Sequence, residues 1–210
     1  MAVIGRFIKR ETPPEIEIND FLSSLQDGGV AVSHDDLIAQ TLGLTAQNMR
    51  IDLASTSQAL TSGTIYAPGI WLPGSITVNN IVVRVATAGV GAAPTGMFVG
   101  LLDSHGELIA VSNNLASSPI WLSTGLKEAP LSGPITLSDA EVGLYYALFL
   151  QVGAFGTTQV GLTRGTNWGG IGVNGALAYG FIGTGASGLP AVGTQQTVTS
   201  GGSNFFVGVD

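Results

Sequence analysis

The segment DSHG, residues 103–106, contains the side-chain types of a hydrolytic triad: an acid, a hydroxyl and an imidazole. Triad residues normally come from distant chain positions, because each approaches the substrate from its own direction. Here the three are consecutive and lie between two apolar runs, Met97–Leu102 and Leu108–Val111. This pattern is typical of a β-hairpin, in which Asp and Ser bond the local backbone and Gly takes a positive φ. We therefore predict a turn without a catalytic role.

A pair of carboxylates would be needed for glycoside hydrolysis. The β-rich part of the chain before Asp210 contains five acids: Asp103, Glu107, Glu128, Asp139 and Glu141. All five fall in predicted turns or at strand ends, where acids are usually solvated. A glycan-degrading enzyme is therefore the weakest of the three functions considered for this chain.

The sequence lacks the residue patterns that are typical of metal-binding and phosphate-binding sites. His34 stands beside two aspartates, but no second His or Cys lies at a ligand spacing, and the chain has no cysteine. The segment GTGASG, residues 183–188, has no lysine and no predicted helix after it, unlike a phosphate-binding loop. We predict no catalytic residue, no metal and no cofactor.

Aromatic residues offer a different chemistry, the stacking of a sugar ring. Trp168 lies in the Gly- and Asn-rich segment TNWGGIGVNGA, residues 166–176, and Tyr179 and Trp71 could act with it. The alternative is that Trp168 packs onto the core or onto a neighbouring subunit. A carbohydrate-binding module is thus the second function considered.

The composition restricts the partners. Only 10% of the 210 residues are charged, 31 are glycine, and the net charge is −7. Few cations argue against nucleic-acid binding, which depends on Lys and Arg contacts to phosphate. The mean hydropathy is +0.41, but no apolar run approaches the roughly 18 residues of a membrane-spanning helix. Residues 1–17 lack the apolar core of a signal peptide. A surface so poor in charge suits a protein that neighbours cover in an assembly.

Charge divides the chain near Ser55, since residues 1–54 hold twelve of the 21 charged side chains. We predict an N-terminal attachment segment over 1–54, made of an extended arm through Pro13-Pro14 and short helices near residues 20–27 and 34–42. Such short helices need a partner surface. The apolar residues predicted to supply the attachment interface are Phe7, Ile8, Ile16, Ile18, Phe21, Leu22, Leu25, Leu37, Ile38 and Leu42.

Residues 55–210 read as a succession of short β-strands. Runs rich in β-branched and aromatic residues are separated by Gly, Pro, Asn or Asp, without helix signals between them. We predict a mainly β fold, a jelly-roll-like antiparallel β-sandwich preceded by the arm and short helices. The residues predicted to share its core are Val83, Val85, Phe98, Leu101, Trp121, Tyr146, Leu148 and Leu150.

Five motifs follow one another along about half of the chain: an early SGTIY, an IWLPGSITVNNIVV strand pair, a VGLLDSHGELIAVS hairpin, WLSTG and GLYYALFL. They are Ser62–Tyr66, Ile70–Val83, Val99–Ser112, Trp121–Gly125 and Gly143–Leu150. In this set of motifs the chain resembles a segment of tailed-bacteriophage virion proteins of the minor tail, receptor-binding and head-fibre types.

The resemblance implies a non-enzymatic building or receptor-facing module with no catalytic residues. It implies a virion location after assembly in the host cytoplasm, with capsid or tail proteins as partners and a homo-oligomer, for which a trimer is the expected state. On this interpretation residues 1–54 anchor the protein and residues 55–210 project from the particle. A host-surface glycan is the partner that the carbohydrate-binding alternative requires.

Overall fold

A computed structural model of the chain describes residues 41–49, 54, 56–165, 179–201 and 203–210. Contacts divide the chain into two compact units, Met1–Leu37 and Ile38–Asp210, and every described residue belongs to the second. The boundary predicted at Ser55 stays a prediction. The predicted arm, the helices up to residue 40, Trp168 and all predicted attachment residues except Leu42 lie outside the described residues, namely Phe7, Ile8, Ile16, Ile18, Phe21, Leu22, Leu25, Leu37 and Ile38.

The described residues are mainly β and form antiparallel sheets, as predicted. Their twelve strands are β1 Ala46–Gln47, β2 Thr56–Ala59, β3 Ile65–Leu72, β4 Ile76–Thr87, β5 Gly96–Leu102, β6 Leu108–Val111, β7 Gly125–Leu137, β8 Gly143–Val152, β9 Gly161–Arg164, β10 Tyr179–Gly183, β11 Thr199–Ser200 and β12 Val207–Val209. Two short 3₁₀ helices, Pro119–Leu122 and Asp139–Glu141, precede β7 and β8. Within these described ranges, no helix is long and apolar enough to cross a membrane.

The strands form two six-stranded sheets. Sheet A has the order β1-β12-β4-β9-β2, and β7 pairs with β4 as well. Because residues 81–83 of β4 pair with both β7 and β12, these two strands must flank β4 on opposite edges. Sheet B has the order β11-β10-β3-β8-β5-β6. In sheet B, β3 and β8 are therefore paired on both sides.

Side chains from both sheets meet in one hydrophobic cluster. Alternate residues of β4, among them Val83 and Val85, enter it from sheet A, as predicted. Phe205 connects the sheets, because its ring packs edge-on against Tyr66 and Phe149 of sheet B, with centroids 5.2 and 6.2 Å apart. The predicted core residues Leu101 and Trp121 belong to the same cluster.

Six of the eight predicted core residues are buried, but they are divided between two clusters because sheet B is covered on both faces. Leu148 and Leu150 are buried in a second cluster on the outer face of sheet B, and Phe98 and Tyr146 are only partly buried against it. Successive residues of a strand point to opposite faces, so β8 sends Tyr145, Ala147 and Phe149 inward. A central strand that is covered on both faces has a continuous apolar sequence, so the sequence does not show which residues point to which face.

The second cluster is covered by residues 186–198, which we call the covering segment. Its residues Ala186, Leu189 and Val198 pack on the cluster. The covering segment also extends along the free edge of β6, where Leu108 N–H donates to Thr194 O at 3.0 Å and Gly193 N–H donates to Leu108 O at 2.8 Å. One sheet edge that would otherwise be open is therefore paired within the chain.

The outer face of sheet A is covered by residues that precede β2. Leu44 and Ala54 are buried there with Val82 and Phe206, and Leu42 and Met49 pack against them. Leu42, one of the predicted attachment residues, thus already has a partner surface within its own chain. Gly43 has a φ of 73°, as expected of the glycine predicted to close the second helix.

Candidate functional site

The polar residues that could do chemistry collect at one end of sheet B. We call this region the turn end, and it comprises residues 71–75, the β5–β6 turn at residues 103–107, and residues 138–144. Trp71 pairs with Leu144 and Leu72 with Gly143 across β3 and β8. A Cβ atom added to Gly143 would lie 3.8 Å from the Cβ atom of Ser104, so the β5–β6 turn adjoins the start of β8.

The β5–β6 connection is the predicted hairpin turn, and its acid holds the backbone in place. Asp103 Oδ1 accepts hydrogen bonds from the backbone N–H groups of His105 and Glu107, both at 2.8 Å. The backbone of Asp103 also bonds Gly106 and Glu107. Gly106 has a φ of 85°, as predicted. Asp103 therefore has a structural task that accounts for its position.

The imidazole of His105 does not complete a triad with its neighbours. Its Nδ1 atom lies 3.4 Å from Ser104 Oγ and 3.5 Å from Asp103 Oδ2. A triad needs the acid on one ring nitrogen and the nucleophile on the other, so that a proton can pass across the ring. Here a single nitrogen faces both groups, and the His105 side chain is 82% exposed. This arrangement offers no route for activating the Ser104 hydroxyl.

The second group of acids caps the 3₁₀ helix Asp139–Glu141. Glu141 Oε2 accepts hydrogen bonds from Ser138 N–H at 2.7 Å and Ser138 Oγ at 2.6 Å. The hydroxyl of Ser75 donates to Asp139 Oδ1. Ser75 has a φ of 55°, the one positive φ of a residue other than glycine within the described part of the chain. The acids of this helix thus fasten the connection before β8 to the β3–β4 turn.

The pKa shifts at the turn end oppose acid–base catalysis by Glu141 and Tyr145. Hydrogen bonds from the side chain and then the backbone of Ser138 lower the pKa of Glu141. Burial, followed by the charges of Glu141 and Asp103, raises the pKa of Tyr145, whose hydroxyl donates to Glu141 O at 2.7 Å. A general acid or base works best with a pKa near the operating pH. Both shifts move away from neutrality.

The five acids considered for glycoside hydrolysis are not all brought together. Glu128 lies on β7 of sheet A, opposite Val82. Glu107 forms an isolated bridge with Gln195 of the covering segment. Asp103, Asp139 and Glu141 belong to the turn end together with Glu107, and each of the three has an oxygen that accepts a hydrogen bond from the chain itself. In the described ranges, no group of three or more His, Cys, Asp or Glu residues has a geometry that would hold a metal ion.

The three aromatic residues predicted to contact a glycan have different surroundings. Trp71 is 61% exposed although it lies between the buried residues Ile70 and Leu72. Tyr179 is 4% exposed, so its ring is packed inside and has no free face for stacking. Trp168 lies outside the described residues. The sequence predicted Trp71 as a glycan contact, but it did not predict that Trp71 shares the turn end with Ser75, whose φ is positive. The sequence signal for this turn was Pro73-Gly74-Ser75.

No known protein family, curated protein or solved structure matches this chain.

Proposed function

We propose that the protein is a non-enzymatic structural component of a tailed-bacteriophage virion, a head-fibre, decoration or minor tail protein. In this proposal the N-terminal segment, residues 1–54, anchors the chain to capsid or tail proteins, and a jelly-roll-like β-sandwich projects from the particle. Assembly takes place in the host cytoplasm, and the protein is a homo-oligomer, with a trimer as the first state to test.

The observation that carries the proposal is that three of the five segments resembling virion proteins have architectural tasks. GLYYALFL lies in β8, a strand paired on both sides. In WLSTG, Trp121 is buried and its Nε1–H donates to Leu115 O at 2.9 Å, while Gly125 has a φ of 112°. DSHG is the hairpin turn. A family likeness made of framework residues supports a shared building role.

Charge supports the same proposal. Residues 55–210 contain nine charged side chains, and three of the acids among them are occupied in local hydrogen bonds at the turn end. Ordinary soluble domains have about 25% charged residues, far more than this part of the chain. A surface with so few charges is suited to permanent contact with neighbouring protein.

The experiment is to follow the protein into purified phage particles with and without its N-terminal segment. The deletion should end at Leu37, because Leu42, Leu44 and Ala54 pack on sheet A and belong to its stability. We expect the full chain to co-purify with particles and the shortened chain to stay folded but unbound. A full-length His105→Ala chain is the matched control and should join particles normally. Normal occupancy of the shortened chain on particles would contradict the anchoring role.

A second candidate function, a carbohydrate- or receptor-binding module on the same fold, is favoured by one observation. Trp71 is the aromatic residue among the large hydrophobic side chains exposed in the described part of the chain. A glycan array separates the two candidates, because specific glycan binding favours the module and particle association favours the structural role. Both results together describe a receptor-facing virion protein.

A further inference from the structure

The exposed indole of Trp71 lies on a rigid support. Trp71 pairs with Leu144 of β8, whereas β10 pairs with β3 further along the strand, at Ile65–Pro68. The sequence neighbours Ile70 and Leu72 are almost fully buried. Leu144, opposite Trp71 on β8, is half-buried, and the nearby Val142 is exposed. An aromatic ring held this way loses little conformational freedom when it binds a ligand, which favours affinity.

The exposed apolar area at this place is small. Trp71 and Val142 are the large exposed hydrophobic residues of the turn end, whereas the others of the described chain, Val90, Leu122 and Val192, lie on other segments. A stable interface between two protein copies needs about 800 Å² from each partner, and one indole with one valine falls well short. The area matches instead the flat C–H face of a single sugar ring, which packs on the electron-rich face of an aromatic ring.

The charges around Trp71 restrict the kind of sugar. The 3₁₀ helix Asp139–Glu141 directly precedes the Val142–Leu144 segment. A Cβ atom added to Gly74 would lie 2.7 Å from Asp139 Cα. This acidic helix therefore packs against the β3–β4 turn. One oxygen of each carboxylate binds a serine of the chain. The hydrogen bonds described for these carboxylates go to Asp139 Oδ1 and Glu141 Oε2, and both residues are exposed, so that Asp139 Oδ2 and Glu141 Oε1 are placed to accept from ligand hydroxyls. An anionic ligand would be repelled.

We propose that Trp71 is the stacking platform for a neutral oligosaccharide, with the carboxylates of Asp139 and Glu141 accepting from its hydroxyl groups. The inference rests on the second candidate function, receptor binding, and it is independent of how the protein attaches to a particle. The negative charges of Asp139 and Glu141 discriminate against sialylated or phosphorylated glycans.

The test uses the full-length chain and an array of neutral hexose and N-acetylhexosamine oligosaccharides, each printed beside its sialylated or phosphorylated counterpart. The best neutral oligosaccharide is then titrated by calorimetry. Loss of one aromatic stacking partner corresponds to about tenfold in affinity, so we expect Trp71→Ala to weaken binding by about that factor or more. Trp71→Phe should retain part of the affinity. Leu122→Ala, which removes an equally exposed apolar side chain elsewhere, should leave binding unchanged.

Asp139→Asn removes one of these negative charges and should improve binding of the anionic counterpart relative to the neutral glycan. The thermal midpoint of each variant shows whether the fold is retained. Equal binding by wild type and Trp71→Ala, or no retention of any neutral glycan, overturns the proposal. A change in oligomeric mass on Trp71→Ala without glycan binding also overturns it and assigns the ring to a subunit contact. Particle association of Trp71→Ala should be normal in every case, so that this failure is distinct from failure of the virion proposal.

Discussion

Replacement of Gly106 by alanine should destabilise the protein for two reasons that the structure separates. Gly106 has a φ of 85°, and a residue with a Cβ atom pays about 1–2 kcal/mol in this left-handed region. The added Cβ atom would also lie 2.5 Å from Gln196 O, a backbone atom of the covering segment. Relief of that contact displaces residue 196, whose N–H donates to Gly106 O at 2.7 Å, and the lost hydrogen bond adds about 0.5–1.5 kcal/mol. We expect a total of about 1.5–3.5 kcal/mol.

Two glycines of the covering segment provide matched controls for Gly106→Ala. Gly193 has a φ of 84° but open space around an added Cβ atom, so Gly193→Ala should show the conformational cost alone. Gly188 has neither a positive φ nor a close neighbour, and Gly188→Ala should change the free energy of unfolding by less than about 1 kcal/mol.

Urea unfolding followed by tryptophan fluorescence measures all three variants against the wild type. The reasoning about the turn is refuted if Gly106→Ala costs no more than Gly193→Ala, because the contact with Gln196 would then carry no constraint. His105→Ala belongs in the same series. Its exposed ring holds no other element, so both the stability and any glycan binding should be unchanged.

Three further predictions concern the two clusters and the acidic helix. Phe205→Ala should cost about 3–5 kcal/mol by denaturant unfolding, because the ring joins both sheets, and a loss below 1 kcal/mol would show that the sheets do not depend on it. Leu148→Ala should cost about 2–5 kcal/mol through a cavity under the covering segment, with protease cleavage of residues 186–198 as a second measurement. Glu141 has a lowered pKa in the folded state, so its contribution to stability is present above its unfolded pKa and is lost as the pH falls through the folded value. The stability difference between wild type and Glu141→Gln should therefore shrink in acid, and a constant difference down to about pH 3 would contradict this assignment.

The hairpin and the β4 pattern could be predicted because their signals are local. Asp103 and Gly106 are the residue types that a tight turn requires, and the alternation of Val83 and Val85 with Val82 marks the two faces of β4. Such signals depend only on neighbours in the chain, which a sequence displays directly.

The division of β8 between two cores could not be predicted. Tyr145 and Leu148 belong to the same apolar run, and the sequence alone does not reveal that the covering segment, some forty residues further on, gives Leu148 a separate partner. The exposure of Trp71 and the burial of Tyr179 are similar cases. Both are aromatic residues in strands, and tertiary packing decides which ring keeps a free face.

β12 occupies an inner position of sheet A although its pairing partners are remote in the chain. Residues Val207–Val209 lie between β1 and residues Ile81–Val83 of β4. Contacts of such sequence separation carry a large loop-closure entropy, and proteins dominated by them fold on the order of milliseconds to seconds. Until β12 pairs with Ile81–Val83, this edge of β4 has unpaired backbone groups to which strands of other chains can bind. Unpaired strand edges favour aggregation during folding. The refolding yield should therefore fall as chain concentration rises, while the equilibrium stability of the folded protein stays the same.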